Sequence, residues 1–231
     1  ALLCLDVTEE VMNEAIALGC NLIISHHPLL FLPLKRVSDE TQVERVVRMA
    51  VKNDIAIYPA HANLDNVEDG VNYKIAEKPS LLDVQLLGAH TVKVMEKGRE
   101  RAVKAGSGVM GYLPSPMDAS QFLEWIKEVF HVECLMHNEP LQRPIQSVAL
   151  CGGAGDFVLR DALSLEADAF LTGEMHYHQY MGTEQRVQIA VLGHYQSEQY
   201  TMEILRDLLI DKAPELPVFV TRINTTPIQY L

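Results

Sequence analysis

The sequence predicts an α/β fold with mixed sheets. Residues 1–83 and the segment from Ser147 onward alternate short apolar strands with amphipathic helices, as βαβ units in largely parallel sheets do. Between them, residues 84–146 carry short alternating stretches separated by Gly and Pro, which is typical of antiparallel strands. A hydrophobic content of 48% over 231 residues supplies a sizeable core for one or two domains. The two similar ends hint at two related halves.

The first lobe, residues 1–83, is predicted to begin on a buried strand, LLCLDV at 2–7. Thr8 is a suitable N-cap for the helix that follows, and Gly19 ends that helix. The remaining predicted elements are strands at 21–25 and 55–58, helices at 39–52 and 71–77, and a loop at 59–69. Because domains rarely start on a buried strand, we expect that the natural N-terminus is truncated or unobserved.

The second lobe is assigned to residues 84–231, and its last helix and strand are expected to pack back on the first lobe. The charge run KGRERAVK at 97–104 is interpreted as a solvated turn. The predicted strands are 90–95, 109–113, 131–137, 148–153, 168–173, 187–193 and 218–223, and the predicted helices are 119–130, 156–165 and 195–209.

The composition restricts the class of function. With 19 Lys and Arg against 31 Asp and Glu, the net charge is −12, which argues against a bare duplex nucleic-acid-binding module. Anionic small molecules stay compatible with this charge, because bound cations reverse the local sign of a site. No apolar run is long enough for a membrane span, and no secretory signal is visible. The four scattered cysteines form no CxxC pair, so we expect a reduced, cytoplasmic protein.

Two adjacent histidines, His26 and His27, end the predicted strand at 21–25 and precede Pro28. Ligands of α/β proteins bind outside the carboxyl ends of strands, so these imidazoles are candidate metal ligands. Side chains alternate along a strand, but the chain leaves the strand at Pro28, and each imidazole can then serve one of two neighbouring ions. The alternative is a pair of hydrogen-bonded loop histidines.

Two further strand ends carry the same donor types. His61 and Asp65 follow the strand at 55–58, where Asp65 can bridge two cations or simply make an Asx turn or cap a helix. His194 and Glu198 follow the strand at 187–193, and their i, i+4 spacing places them on one face of a helix. The alternative for this pair is a capping histidine with a solvated glutamate.

Three strand ends with nitrogen and oxygen donors and no thiolate favour a site for two metal ions. Imidazole with carboxylate suits Zn, Mn, Fe or Co and disfavours a structural zinc finger. The sequence does not choose among these metals. Two such ions can activate water and polarise a substrate oxygen, which is hydrolase chemistry.

The segment LTGEMHYHQY places Glu174, His176 and His178 at alternating positions, so they would share one face of a strand but point in different directions from a helix. They are candidates for proton transfer or for supporting the metal ligands, and the alternative is a polar pocket rim.

The loop CGGAGD lies between a predicted strand and helix, and Gly152, Gly153 and Gly155 could present amides to a phosphate. It is neither GxGxxG nor a P-loop, and its glycines are also explained by a tight turn.

Five blocks of the chain resemble, in order, the signatures of the Ngg-interacting-factor-three-like family, whose bacterial members are GTP cyclohydrolase 1 type 2 homologues. They are IISHHPLLFLPLK, YPAHANLDNVEDGVN, CGGAGD, FLTGEMHYHQ and LGHYQSE. The resemblance runs from Leu3 to about Pro227. Two departures are the absence of about thirty residues that usually precede the first strand and of an inserted domain within residues 84–146.

The resemblance implies an α/β fold of two similar lobes with a dinuclear metal site between them, and a toroidal homohexamer. The implied metal ligands are His26, His27, Asp65, His194 and Glu198. His61 matches a histidine near the metals whose role stays open. The function expected from residues and resemblance together is a dinuclear metal-dependent hydrolase acting on a nucleotide or related small molecule. The alternative is a non-catalytic metal-binding regulatory or interaction protein.

Overall fold

The computed structural model describes residues 1–231, which form two compact units. The first unit comprises Ala1–Asn63, Thr201–Gln229 and Leu231, and the second comprises Leu64–Tyr200 and Tyr230. Residues 64–83, assigned to the first lobe from the sequence, thus fall in the second unit. The reason is that the strand at 82–86 pairs in the sheet of that unit.

A sheet of four parallel strands forms the first unit, in the order β12-β1-β2-β3. Its strands are β1 (Leu2–Cys4), β2 (Leu22–Ser25), β3 (Ala56–Pro59) and β12 (Phe219–Val220). Its helices are α1 (Glu9–Ala17), α2 (Gln42–Lys52) and α8 (Thr201–Lys212). The pairing Leu2–Phe219 joins the last strand to the first, so the C-terminal segment completes this sheet.

Local capping sets the helix starts of the first unit. Thr8 Oγ1 accepts from the backbone N–H of Val11, and Thr41 Oγ1 accepts from that of Glu44. The apolar stripes of α1 and α2 then pack with β1 and β2 into one core. Its fully buried members are Leu2, Cys4, Val11, Met12, Ala15, Ile23 and Val46.

A mixed six-stranded sheet forms the second unit, in the order β4-β7-β9-β10-β11-β8. The strands are β4 (Leu82–Leu86), β7 (Val109–Met117), β8 (Met136–His137), β9 (Ile145–Cys151), β10 (Ala169–Thr172) and β11 (Gln188–Val191). Strands β9, β10 and β11 run parallel, and the other pairs are antiparallel. The prediction of an α/β fold with mixed sheets is therefore confirmed.

Four helices lie wholly in this unit, and a separate two-stranded ribbon pairs β5 (His90–Glu96) with β6 (Arg99–Ala105). The helices are α4 (Val71–Glu77), α5 (Ala119–Phe130), α6 (Leu159–Ser164) and α7 (His194–Glu198). A short helix, α3 (Ala62–Asp65), begins in the first unit and ends in the second. The prediction for α5 is confirmed at both ends, and Asp118 caps it by accepting from the N–H groups of Ser120 and Gln121. None of the helices combines the length and apolar character needed to cross a membrane.

Several predicted elements differ from the structure. The charge run at 97–104 is a solvated turn only at Lys97 and Gly98. The rest of the run belongs to β6, which was not predicted because, unlike β5, it has no apolar alternation. The helix predicted at 195–209 is two helices, α7 and α8, interrupted at Gln199 and Tyr200. The strand predicted at 131–137 is limited to β8, and β4 was not predicted, since its residues are mostly exposed.

Candidate metal centre

Three histidines of the first unit bring their ring nitrogens together. The backbone leaves β2 after Ser25, so His26 and His27 follow the strand as predicted, and His61 follows β3. One ligand atom from each of the three lies within 4.8 Å of the others. His26 is fully buried and the other two are partly buried. This spacing allows the three imidazoles to bind one metal ion.

Hydrogen bonds at Nδ1 orient the first two rings. Nδ1 of His26 lies 2.8 Å from the carbonyl oxygen of Ala60, which can only accept, so this nitrogen carries the proton. Nδ1 of His27 lies 2.8 Å from Oδ1 of Asp6, whose other oxygen accepts from the hydroxyl of Thr225. In both rings Nε2 is thereby left as the atom with the lone pair that a metal needs.

Asp6 is a site residue that sequence reasoning missed. It lies just beyond the carboxyl end of β1, which is adjacent to β2 in the sheet. The rule that ligand-binding groups gather at strand ends could have identified it, since it is the only carboxylate in the first predicted strand, 2–7.

His194 and Glu198 form the centre of the candidate site in the second unit. They lie at the two ends of α7, and Nε2 of His194 is 3.1 Å from Oε2 of Glu198. Two ligands of one zinc ion in tetrahedral geometry, each about 2.0–2.1 Å from the metal, are separated by about 3.3 Å. The pair therefore has the spacing of two ligands of one ion.

Glu174 contacts the other side of the same imidazole. Its Oε1 lies 2.8 Å from Nδ1 of His194, the carboxylate–histidine arrangement that orients metal-bound imidazoles. Of the two conformations considered for Glu174, His176 and His178, the structure has no strand here, since β10 ends at Thr172. The backbone N–H of Glu174 instead donates to the carbonyl of Gly153, which fixes the loop beside α7.

Asp65 is the third carboxylate-bearing candidate of the second unit, at the end of α3. An oxygen of Asp65 lies within 4.8 Å of an oxygen of Glu198. Buried Asn72 of α4 fixes the backbone around it, because its Nδ2 donates to the carbonyl of Asp65 and its Oδ1 accepts from the N–H of Gly152. Asn72 was not identified from the sequence, because nothing in the sequence distinguishes it from the other residues of the short predicted helix at 71–77.

Two glycines of the CGGAGD loop, Gly152 and Gly153, make room for Glu198. A Cβ built on Gly153, whose φ is +60°, would overlap Oε1 of Glu198 and lie 3.0 Å from its Cδ. A Cβ on Gly152 would lie 3.2 Å from Cγ of the same side chain. Glu198 is 5% exposed and has little space to move aside.

The amides of this loop donate to side chains of the same unit. Gly152 donates to Asn72, Gly153 to the hydroxyl of Ser197, and Gly155 to the hydroxyl of Thr172. In the structure, each of the three N–H groups thus donates to a side chain of the protein. Phosphate binding by the loop stays a prediction.

His176 and Asp156 form a pair in the same unit. Oδ2 of buried Asp156 contacts Nδ1 of His176 and accepts from its backbone N–H, while the imidazole is exposed. The hydrogen bond and the charge of Asp156 raise the pKa of His176. His178 lies apart from this pair in a short 3-10 helix, with its ring edge-on to Tyr177.

Buried Cys151 lies among the acidic groups of this unit. Burial, together with the charges of Asp65, Glu198 and Asp156, raises the pKa of the thiol to about 12. The ligand atoms that lie close enough together to hold a metal ion belong to imidazoles and carboxylates, and this thiol is not among them.

Comparison with known proteins places the chain in a family. The profile of Duf34/NIF3 (NGG1p interacting factor 3) matches residues 1–227. The GTP cyclohydrolase 1 type 2 homolog of Clostridium acetobutylicum is 28% identical over 98% of this chain and 83% of its own length. The homolog of the same name from Clostridium perfringens is 34% identical over 85% of this chain and 72% of its own length. NIF3-like protein 1 of Drosophila melanogaster is 30% identical over 96% of this chain and 74% of its own length.

Solved structures agree with these sequence relatives. A hypothetical protein of Staphylococcus aureus superposes with a TM-score of 0.87 at 27% identity, covering 100% of this chain and 86% of its own. A Bacillus cereus protein related to NIF3 gives a TM-score of 0.84 at 25% identity, and the match covers 100% of this chain and 88% of the Bacillus protein. With a family profile that spans nearly its whole length, the chain belongs to the Duf34/NIF3 family.

Proposed function

We propose that this protein is a hydrolase that depends on two divalent metal ions and acts on a nucleotide or a related small molecule. The proposed ligands are His26, His27, Asp65, His194 and Glu198. The observation that carries the proposal is a feature shared by the three imidazoles: each has an acceptor 2.8 Å from Nδ1, which orients Nε2 as the ligand atom.

The number of donors favours a site open to substrate. Five side chains shared between two ions supply fewer donors than the four to six that each ion prefers, even when a carboxylate bridges. The remaining positions are then available to water and to an oxygen of the substrate. His61 is a sixth donor, as ligand or as support, because it lies with His26 and His27 in the group of three.

The bound ions would supply Lewis acidity, polarising a substrate oxygen and lowering the pKa of water. Glu174 would hold the ring of His194 in one orientation through Nδ1. His176 would move a proton at its exposed Nε2, because Asp156 fixes its ring through Nδ1. A nucleotide is the first substrate class to test, since the curated bacterial relatives are named GTP cyclohydrolase 1 type 2 homologs.

Metal stoichiometry tests the first half of the proposal. The protein is loaded with Zn, Mn, Co or Fe(II) and dialysed, and the bound metal is measured by inductively coupled plasma mass spectrometry. We expect two ions per chain, and a loss of at least one in H26A and in E198A. H178A is the matched control, because His178 lies outside both groups of ligands, and it should keep both ions. Binding of fewer than one ion per chain with every metal would contradict the proposal.

Turnover tests the second half. The metal-loaded protein is incubated with GTP, other nucleotides and a panel of phosphoesters, and the products are separated by chromatography. We expect activity that the H26A/D65A double variant lacks and H178A retains. Two ions bound without turnover of any substrate would refute hydrolysis and favour the regulatory alternative. Sedimentation of the same samples tests the homohexamer that the resemblance implies.

A further inference from the structure

The ribbon of β5 and β6, residues 90–105, is a separate two-stranded sheet, which we call the basic arm. Its seven residue pairs run from His90–Ala105 to Glu96–Arg99, and neither strand has a second neighbour in a sheet. A single bridge between Val67 and Ala105 ties its base to the rest of the second unit. An isolated ribbon is marginally stable in water and leaves its strand edges available for a partner.

The charge of the basic arm is opposite to that of the rest of the chain. It carries five basic and two acidic residues, whereas the other 215 residues carry 14 basic and 29 acidic ones. Its net charge is therefore +3, and that of the remainder is −15. Such a separation of charge within one chain makes two copies electrostatically complementary.

Ion pairs within the arm leave three of its cations available. Lys93 pairs with Glu100 at 3.0 Å, and Arg101 pairs with Glu96 at 3.1 Å. The other three cations, Lys97, Arg99 and Lys104, are exposed and take part in none of the ion pairs of the structure.

Apolar side chains lie beside these cations. Met95 is 72% exposed and Val94 is 39% exposed. Methionine and arginine are enriched in protein interfaces, whereas a phosphate backbone offers nothing for methionine or valine to pack against. Three cations also make a weak phosphate-binding surface on a chain whose total charge is −12.

We propose that the basic arm binds the acidic surface of a second copy of this chain. Two arms repel each other, because each carries three net positive charges, so the complementary surface is the acidic remainder of the partner. An exchange of arms across a twofold axis would form this contact twice. The inference does not depend on the proposed metal site.

Charge reversal in the arm tests the proposal by sedimentation velocity of the full chain. The variant K97E/R99E/K104E is compared with the control K35E/K52E/R160E, which changes the net charge equally at exposed cations outside the arm. We expect the arm variant to raise the dissociation constant of self-association at least tenfold, and the control to change it less than threefold. Association of the native chain should weaken between about 0.1 M and about 1 M salt, as the Debye length falls from about 10 to about 3 Å. Equal effects of the two variants would overturn the proposal.

Two further measurements separate assembly from loss of folding and from other partners. The neutral variant K97Q/R99Q/K104Q keeps the strand pattern, and it should weaken association while its circular dichroism matches that of the native chain. Carbodiimide coupling of mixed light and heavy copies should join Lys97 or Lys104 to a carboxylate of the other copy. Crosslinks within one copy only would refute the contact. So would tight binding of duplex DNA that the arm variant loses in a chain that stays monomeric.

Discussion

Replacement of Gly153 by alanine tests whether the loop exists to admit Glu198. Gly153 has a φ of +60°, and a Cβ there would overlap the carboxylate of Glu198. The left-handed backbone alone disfavours alanine by about 1 kcal/mol. Glu198 is 5% exposed, so its carboxylate must also shift within a packed site, and overpacking of this kind costs about 1–3 kcal/mol. We expect a total of about 3 kcal/mol.

The control for this variant is G182A. Gly182 has a φ of +81°, and nothing lies within 4 Å of a Cβ built on it. Alanine at this position therefore costs only the free energy of the left-handed backbone conformation. A domain of this size loses about 2–4 °C in Tm for each kcal/mol. Differential scanning calorimetry should therefore show a loss of about 6–12 °C for G153A and about 2–4 °C for G182A.

A double-mutant cycle identifies the cause of the difference. In the E198A background the overlapping carboxylate is gone, so G153A should cost only the backbone term of about 1 kcal/mol. The expected coupling between Gly153 and Glu198 is about 2 kcal/mol. An equal cost of G153A with and without Glu198 would refute steric exclusion by the carboxylate as the reason for the glycine.

Three further outcomes follow from the geometry. E174Q should weaken divalent metal binding by about tenfold in isothermal titration calorimetry, because it weakens the acceptor on Nδ1 of His194; unchanged affinity would contradict the orienting role. D156N should lower the pKa of His176 in an NMR titration, and an unshifted titration would contradict the pairing. In the native chain, any stabilisation from this pair should be complete at a pH below the ordinary histidine pKa of 6.5. It should be lost as the pH rises through the raised pKa of His176. Iodoacetamide at mildly alkaline pH should label exposed Cys134 and leave the other three thiols unmodified, as peptide mass spectrometry would show; fast labelling of a second thiol would contradict the burial.

The sequence predicts most helices well because their ends depend on near neighbours. Thr8 caps α1 through an N–H three residues away, and Asp118 caps α5 through N–H groups two and three residues away. The break between α7 and α8 is not visible locally, because Gln199 and Tyr200, where the helix is interrupted, are neither Gly nor Pro. The basic arm is predicted only in part: β5 is expected as a strand at 90–95 from its alternation, whereas β6 is exposed almost throughout and has no apolar alternation to mark it.

The candidate ligands could also be predicted, because imidazole and carboxylate at strand ends are visible in a sequence. Their orientation could not. Asp6 is 21 residues from His27, Ala60 is 34 from His26, and Glu174 is 20 from His194. The pairing of strands sets which of these groups meet.

By itself, the sequence determined the α/β class, the starts of its capped helices and the donor types of the candidate centre. These depend on composition, on hydrophobic periodicity and on contacts within a few residues. Only the tertiary structure decided which acceptor holds each imidazole, why Gly153 has to be glycine, and that residues 97–104 continue a ribbon. Those outcomes depend on the register between strands far apart in the chain, and a local pattern of residues does not contain that register.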